Sequence, residues 1–196
     1  KLFRSHAVME GTHEVRIGNE VVRGKNIVLA TGTVPAVPPV PGLAEAGYIT
    51  NRETVHLTSL PKRIVVLGGG VIGLEFAQTF RRFGAEVTII ELGTHLLPKE
   101  DPEVAALARG FLEREGLRIL TNTQVTKVTK EGTAKRLEIV QSGQHQTLLC
   151  DEILVAAGRK AAIGSLQLER TGLAIERNYL KVDPFLRTSV PHIYAP

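Results

Sequence analysis

Gly68-Gly69-Gly70-Val71-Ile72-Gly73 sets glycines at the spacing G-x-G-x-x-G, directly after the apolar run Ile64-Val65-Val66-Leu67 and directly before a helical pattern. In that setting the glycines divide the work. Gly68 permits a tight turn, Gly70 lets the backbone approach a pyrophosphate, and Gly73, with Ala77, lets helix and strand pack closely. The N–H groups and positive end of the helix would hold the phosphates. A glycine triplet alone also serves plain turns, so its surroundings decide. Glu91 follows Gly68 by 23 residues, at the end of the apolar strand Val87–Ile90. A carboxylate there can accept both hydroxyls of an adenosine ribose and repel a 2′-phosphate. Taken singly, Glu91 reads as an ordinary exposed acid; strand, glycines, helix, strand and acid in that order make it a ribose ligand. No arginine follows it within the next few residues, so NAD is expected over NADP. A phosphate-binding loop of the other common type needs Gly-Lys-Ser/Thr, but Leu74-Glu75 follows Gly73. A methyl-donor site would usually place an acid in the strand before the glycines, where Val66-Leu67 stands.

The elements that must position these residues are legible around them. A helix is expected over about Val71–Phe83, with Phe76, Phe80 and Phe83 on one face and Gly84 as its stop. Asp101-Pro102-Glu103 opens another helix, with an N-cap, a proline in the first turn and an acid near the positive end. Its stripe is Val104, Leu107, Ala108, Phe111 and Leu112, and Gly116 ends it before a strand at Arg118–Leu120. The period then changes to two. Val125–Thr129, Arg136–Val140 and Thr147–Cys150 read as an antiparallel meander with turns at Glu131-Gly132 and Ser142-Gly143, and Ile153–Ala157 as a fully apolar strand. Upstream, Ala7–Met9, Glu14–Ile17 and Ile27–Ala30 read as short strands. Val34–Gly42, with four prolines, reads as a stiff connector and neither strand nor helix. The fold class is therefore α/β: a Rossmann-like parallel sheet with an antiparallel three-stranded meander.

Composition narrows the partners. The 196 residues carry 24 basic and 20 acidic side chains in mixed order, a net +4, with few aromatics and no basic run longer than two, which argues against nucleic acid. No apolar run approaches the roughly 20 residues of a membrane span, and no signal peptide is seen. The six histidines never pair at metal-ligand spacing, so no metal site is expected. One cysteine, Cys150, permits no internal disulfide and points to a reducing, cytoplasmic setting.

The order Ala30-Thr31-Gly32, Leu60-Pro61-Lys62, Gly68 to Glu75, Glu91 and Ala156-Ala157-Gly158-Arg159 resembles the flavin-dependent pyridine nucleotide–disulfide oxidoreductases, within them most nearly the dihydrolipoamide dehydrogenases. The resemblance runs over nearly the whole chain. It implies an enzyme in which NAD(H) stacks on FAD and the flavin exchanges electrons with a cysteine pair. It also implies site roles. Gly68, Gly69, Gly70 and Gly73 would hold the NAD pyrophosphate and Glu91 the ribose. Val71 and Ile72 would lie where the nicotinamide slides against the flavin, and Glu75 would reach the carboxamide. Val125 and Gly158 would line the adenine and nicotinamide sides, and Thr31, Gly32 and Arg159 would lie near the FAD. Read from its position alone, Glu75 is a solvated residue on a first helical turn, stabilised by the dipole.

The departures shape the expectation. A FAD glycine fingerprint, a C-x-x-x-x-C pair and a C-terminal dimer domain with its His–Glu acid/base pair are all missing, and Lys160-Ala161-Ala162 replaces the usual proline and asparagine. Cys150 and His192 replace none of these, so no catalytic residue is assigned. The chain is expected to be a central piece: a partial FAD domain at 1–58, an NAD-binding domain at 59–160 and a returning, truncated FAD-domain segment at 161–196. The whole protein would be a homodimer through a domain outside this piece. Mercuric reductase, another NAD(P)H-dependent flavoprotein reductase, and a noncatalytic NAD-binding module stay open beside it.

Overall fold

The run Ile64–Leu67 shows no period because both of its faces are buried. The computed structural model describes all residues, 1–196, and divides into two units, Pro35–Gly158 and Lys1–Val34 with Arg159–Pro196. In chain order come β1 (Ala7–Met9), β2 (Glu14–Ile17), β3 (Glu20–Arg23), β4 (Ile27–Val28), β5 (Thr33–Pro35), α1 (Leu43–Ala46) and α2 (Asn51–Thr54). Then follow β6 (Arg63–Leu67), α3 (Val71–Arg82), β7 (Glu86–Ile90), α4 (Pro102–Arg114) and β8 (Arg118–Leu120). β9 (Thr123–Glu131), β10 (Ala134–Gln141), β11 (Gln144–Cys150) and β12 (Glu152–Val155) come next, and β13 (Arg159–Ala161), β14 (Ile175–Glu176), β15 (Tyr179–Leu180) and β16 (Ile193–Tyr194) close the series.

In the unit Pro35–Gly158 the strand order is β12-β6-β7-β8, all parallel. Side chains alternate across it. Ile64, Val66 and Leu154 join one apolar cluster with Leu74, Ala77 and Phe80 of α3 and Leu112 of α4. Val65, Leu67, Ile153 and Val155 join another with Val128, Leu137, Ile139 and Cys150 of the meander. The sheet thus lies between helices and a second sheet, and such strands read as continuous apolar runs.

Helix ends follow from the sequence. Asp101 Oδ1 accepts from Glu103 N at 2.8 Å and caps α4. Both helices stop on a left-handed glycine: after α3, Gly84 N donates to Arg81 O and Ala85 N to Phe80 O; after α4, Gly116 N donates to Glu113 O and Leu117 N to Leu112 O.

Several expectations need correction. α3 ends at Arg82, so Phe83 leaves the helical face that holds Phe76 and Phe80 and is 71% exposed. On α4, Val104, Leu107 and Phe111 face outward and Ala105 and Leu112 are the buried residues. The apolar arc of that helix is wider than the contact it makes, and periodicity alone could not select the side. Val34 and Pro35, assigned to a connector, belong to β5, which pairs with β13. Proline is admissible at a strand's end, where its missing donor costs no ladder bond. The 35–58 segment also packs with the central unit rather than the first: Leu43, Ala46 and Ile49 are core residues there. Gly42 explains the docking. It has φ +77°, and a Cβ on it would lie 1.9 Å from Val128 O, while Val128 N donates to Pro41 O at 2.8 Å. Only glycine permits that approach.

The meander is β9-β10-β11 with its turns at Gly132 and at Ser142-Gly143, the latter pair both at positive φ as a two-residue hairpin requires. In the other unit, β1-β2-β3 form an antiparallel ribbon and β4 pairs in parallel with β16, around Met9, Leu166, Leu168, Leu173 and Ile193. No helix is long and apolar enough to cross a membrane.

Candidate functional site

At the C-terminal end of the parallel sheet the strand ladder runs on past the strands. Gly68 N donates to Ile90 O, Glu91 N to Leu120 O and Ala156 N to Leu67 O, each at 2.8 Å. These bonds bring Gly68, Glu91 and the Ala156–Gly158 segment side by side.

The three fingerprint glycines then separate by role. Gly68 has φ +115°, and a Cβ there would lie 2.4 Å from Ala156 O. A Cβ on Gly73 would lie 2.2 Å from Gly68 O, and Ala77, one turn on, is fully buried. Both glycines exist to let α3 sit against the sheet. Gly70 differs. It is the N-cap of α3 with φ −79°, and a Cβ on it would meet nothing within 4 Å. Its missing side chain therefore leaves open space in front of a 12-residue helix whose first N–H groups need acceptors.

Glu91 is half-buried and occupied in a way the sequence does not disclose. Its Oε2 accepts from Gly69 N at 2.6 Å and its Oε1 from Gly93 N at 2.7 Å. A carboxylate offers about four acceptor directions, so roughly half remain for a ligand while the acid also pins the glycine loop. Leu96 and Leu97 are further residues that sequence reading missed. Leu97 N donates to Gly69 O at 2.8 Å, and Leu96, 1% exposed, lies against Gly69. Nothing in a Leu-Leu pair within a loop signals that it braces a glycine turn.

The other site candidates fall at varied distances from this centre. Val71 is exposed, Ile72 half-buried, and Glu75 exposed at the fifth residue of α3, past the first turn to which its position in the sequence assigned it. Gly158 has φ +106°, and a Cβ on it would meet nothing within 4 Å; it lies two residues from Ala156, beside Gly68. Val125 is 9% exposed and its side chain is spent on the meander core, which leaves little of it for an adenine. In the other unit, Thr31 and Gly32 are exposed, and Arg159 donates from Nε to Thr33 Oγ1 at 2.6 Å and from Nη2 to Thr33 O at 2.8 Å. That guanidinium is committed to the protein.

Cys150 is fully buried, and burial pushes its thiol up to about 12. The thiolate that redox exchange requires is then scarcely formed at neutral pH. No group of three or more His, Cys, Asp or Glu side chains could hold a metal ion.

The profile of the pyridine nucleotide-disulphide oxidoreductases matches residues 1–196. The chain belongs to this family. Among its relatives, the dihydrolipoyl dehydrogenase of Acholeplasma laidlawii is 38% identical over 198 residues, covering 99% of this chain and 57% of its own length. The mercuric reductase of Shewanella putrefaciens is 40% identical over 177 residues, 90% of this chain and 31% of its own. Among solved structures, the HOCl-induced flavoprotein disulfide reductase RclA from Escherichia coli superposes with a TM-score of 0.84 at 32% identity, over 97% of this chain and 44% of that one. The family member described here thus spans about half, or less, of the length of the relatives it matches.

Proposed function

We propose that this chain is the NAD(H)-binding portion of a flavoprotein disulfide oxidoreductase that moves electrons between NAD(H), FAD and a cysteine pair. The observation that carries the reading is the open space at Gly70, framed by two glycines whose only room is against backbone and by a carboxylate at the end of β7. The α3 N-terminus and Gly70 hold the pyrophosphate, Glu91 takes the adenosine ribose, and Ile72, Glu75 and Gly158 serve the nicotinamide end. When bound, the dinucleotide supplies a hydride. This chain's part is to bind and orient it: the positive end of α3 offsets the phosphate charge and the Glu91 carboxylate selects against a 2′-phosphate. Relatives named for two different redox substrates, one oxidised and one reduced, match at similar identity, so the substrate that exchanges electrons with the cysteine pair is chosen by residues outside this chain. The assembled protein is proposed to be a cytoplasmic homodimer.

Titration of NADH and NADPH into the protein tests this reading. A charge-assisted pair of bonds to ribose hydroxyls is worth roughly 1–3 kcal/mol, so NADH is expected to bind about 10- to 100-fold more tightly than NADPH. Glu91→Ala should erase most of that preference, and it also frees Gly69 N and Gly93 N, so NADH itself should weaken. Equal affinities in the parent, or an unchanged ratio in the variant, would remove Glu91 from the site.

The residues present do not make a complete FAD site. In the unit Lys1–Val34 with Arg159–Pro196 the only helical element is the three-residue turn Leu168–Arg170, so no helix N-terminus faces a flavin pyrophosphate, and Arg159 is tied to Thr33. The purified 196-residue protein is therefore expected to be colourless and without disulfide reductase activity. A stoichiometric flavin absorbance near 450 nm would contradict it; that wavelength is roughly where protein-bound flavins absorb, and binding without a helix terminus would need another cradle.

A further inference from the structure

The parallel sheet has a second end. Arg63, Glu86 and Arg118 open β6, β7 and β8, so they emerge at the N-terminal edge, five residues of β6, or roughly 15 Å of strand, from the Gly68 turn. With Arg81 of α3 and Thr147 and Leu149 of β11 they line an open groove of about 540 Å³.

The arginines differ in what they already hold. Arg63 is paired with Asp151, Nη2 to Oδ1 at 2.7 Å. Arg81 is half-buried and has no carboxylate partner; its Nε donates to Glu115 O at 2.9 Å and its Nη1 to Ala85 O at 3.4 Å. Two neutral carbonyls fix that guanidinium in place without neutralising it. Gly116 makes the room: a Cβ there would lie 2.7 Å from Arg81 Nη2. Arg118 is exposed and bonded to no side chain. One pre-positioned cation and one free cation thus border the same groove, whose lining also includes Thr147 and, as an apolar lip, Leu149, 47% exposed. Glu86 is the only carboxylate on the lining.

We propose that this groove binds a small organic phosphate, with Arg81 and Arg118 on the phosphoryl group and the apolar or planar body of the ligand against Leu149. Guanidinium forks match phosphate oxygens in pairs, and the volume lies within the roughly 300–1,000 Å³ of small-molecule sites. Glu86 limits the negative charge the groove accepts. The site is separate from the dinucleotide turn and stands whether or not NAD(H) binds there.

Calorimetric titration of the full chain with phenyl phosphate and with inorganic phosphate, each with and without saturating NADH, tests the proposal. Phenyl phosphate should bind saturably, more tightly than inorganic phosphate, and equally with NADH present. Arg118→Ser, at an exposed position with no partner to lose, should weaken it about tenfold, the scale of one charged hydrogen-bonding pair; Glu86→Gln should tighten it. Arg81→Lys keeps the charge but loses the fork, and should weaken phenyl phosphate while circular dichroism reports an intact fold. No saturation, displacement by NADH, equal binding of the two phosphates, or parent-like titrations of both Arg118→Ser and Glu86→Gln would overturn it.

Discussion

Gly70→Val is expected to abolish NADH binding while leaving the fold intact. The backbone at Gly70 has φ −79° and ψ 176°, an extended conformation that a β-branched residue favours, and a Cβ there touches no protein atom within 4 Å. Valine therefore strains nothing in the free protein. In the proposed complex its two methyl groups fill the space that a phosphate needs, in front of the N–H groups that would bind it. A loss of at least about 100-fold in affinity, near 2.7 kcal/mol, is expected. Calorimetry with NADH measures the loss, and circular dichroism with thermal melting checks the fold. A variant that melts like the parent and still binds NADH would show that no phosphate lies at Gly70.

Gly73→Ala should do the reverse in kind and fail through stability. Its Cβ would lie 2.2 Å from Gly68 O, a backbone atom that cannot swing away, so α3 must rise off β6 or the turn must distort. Gly68→Ala adds a φ of +115° to a 2.4 Å clash with Ala156 O. Overpacking costs typically 1–3 kcal/mol, so about 2 kcal/mol is expected for Gly73→Ala, and the disallowed backbone angle raises Gly68→Ala to about 3 kcal/mol or more. Urea denaturation followed by far-ultraviolet dichroism gives the figure, provided the slope is unchanged. A midpoint equal to the parent's would mean that helix and strand have room the geometry denies. Together the substitutions divide one sequence motif into two stability positions and one binding position.

Much of this was legible in the residues, and what was not has physical causes. Gly68, Gly73 and Ala77 sit where a close helix–strand packing demands them, because only tiny residues meet that demand and their spacing is written in the chain. Asp101, Gly84 and Gly116 marked helix ends through chemistry that is local. The outward face of α4 was not legible, since Val104, Leu107 and Phe111 are as apolar as Ala105, Ala108 and Leu112, and only the tertiary contact chooses between the two stripes. α1 and α2, four residues each, leave no periodic trace; α2 is announced only by the capping pair Thr50 and Glu53. Glu91 was found for its charge and position, yet its bonds to Gly69 N and Gly93 N depend on a loop whose path no local rule fixes. Val125 shows the limit of carrying a role across by position, because its side chain is claimed by the core beneath it.

Ala36 N donates to Gly158 O at 2.9 Å, so the two ends of the central unit are bonded to each other. That bond has a consequence for the order of assembly. β4 must find β16 with Ile27 opposite Ile193, across most of the chain. Apart from Pro35 in β5, the strands, helices and turns of 36–158 pair and pack among themselves, and this span can be complete before residues 159–196 leave the ribosome. Once it has folded, it acts as a clasp that hands the two halves of the discontinuous unit to one another. The unordered chain left to close shrinks about fourfold, which at about 0.6 kcal/mol per halving lowers the entropic cost by roughly 1 kcal/mol. The inserted unit is thereby a folding template for the unit that contains it.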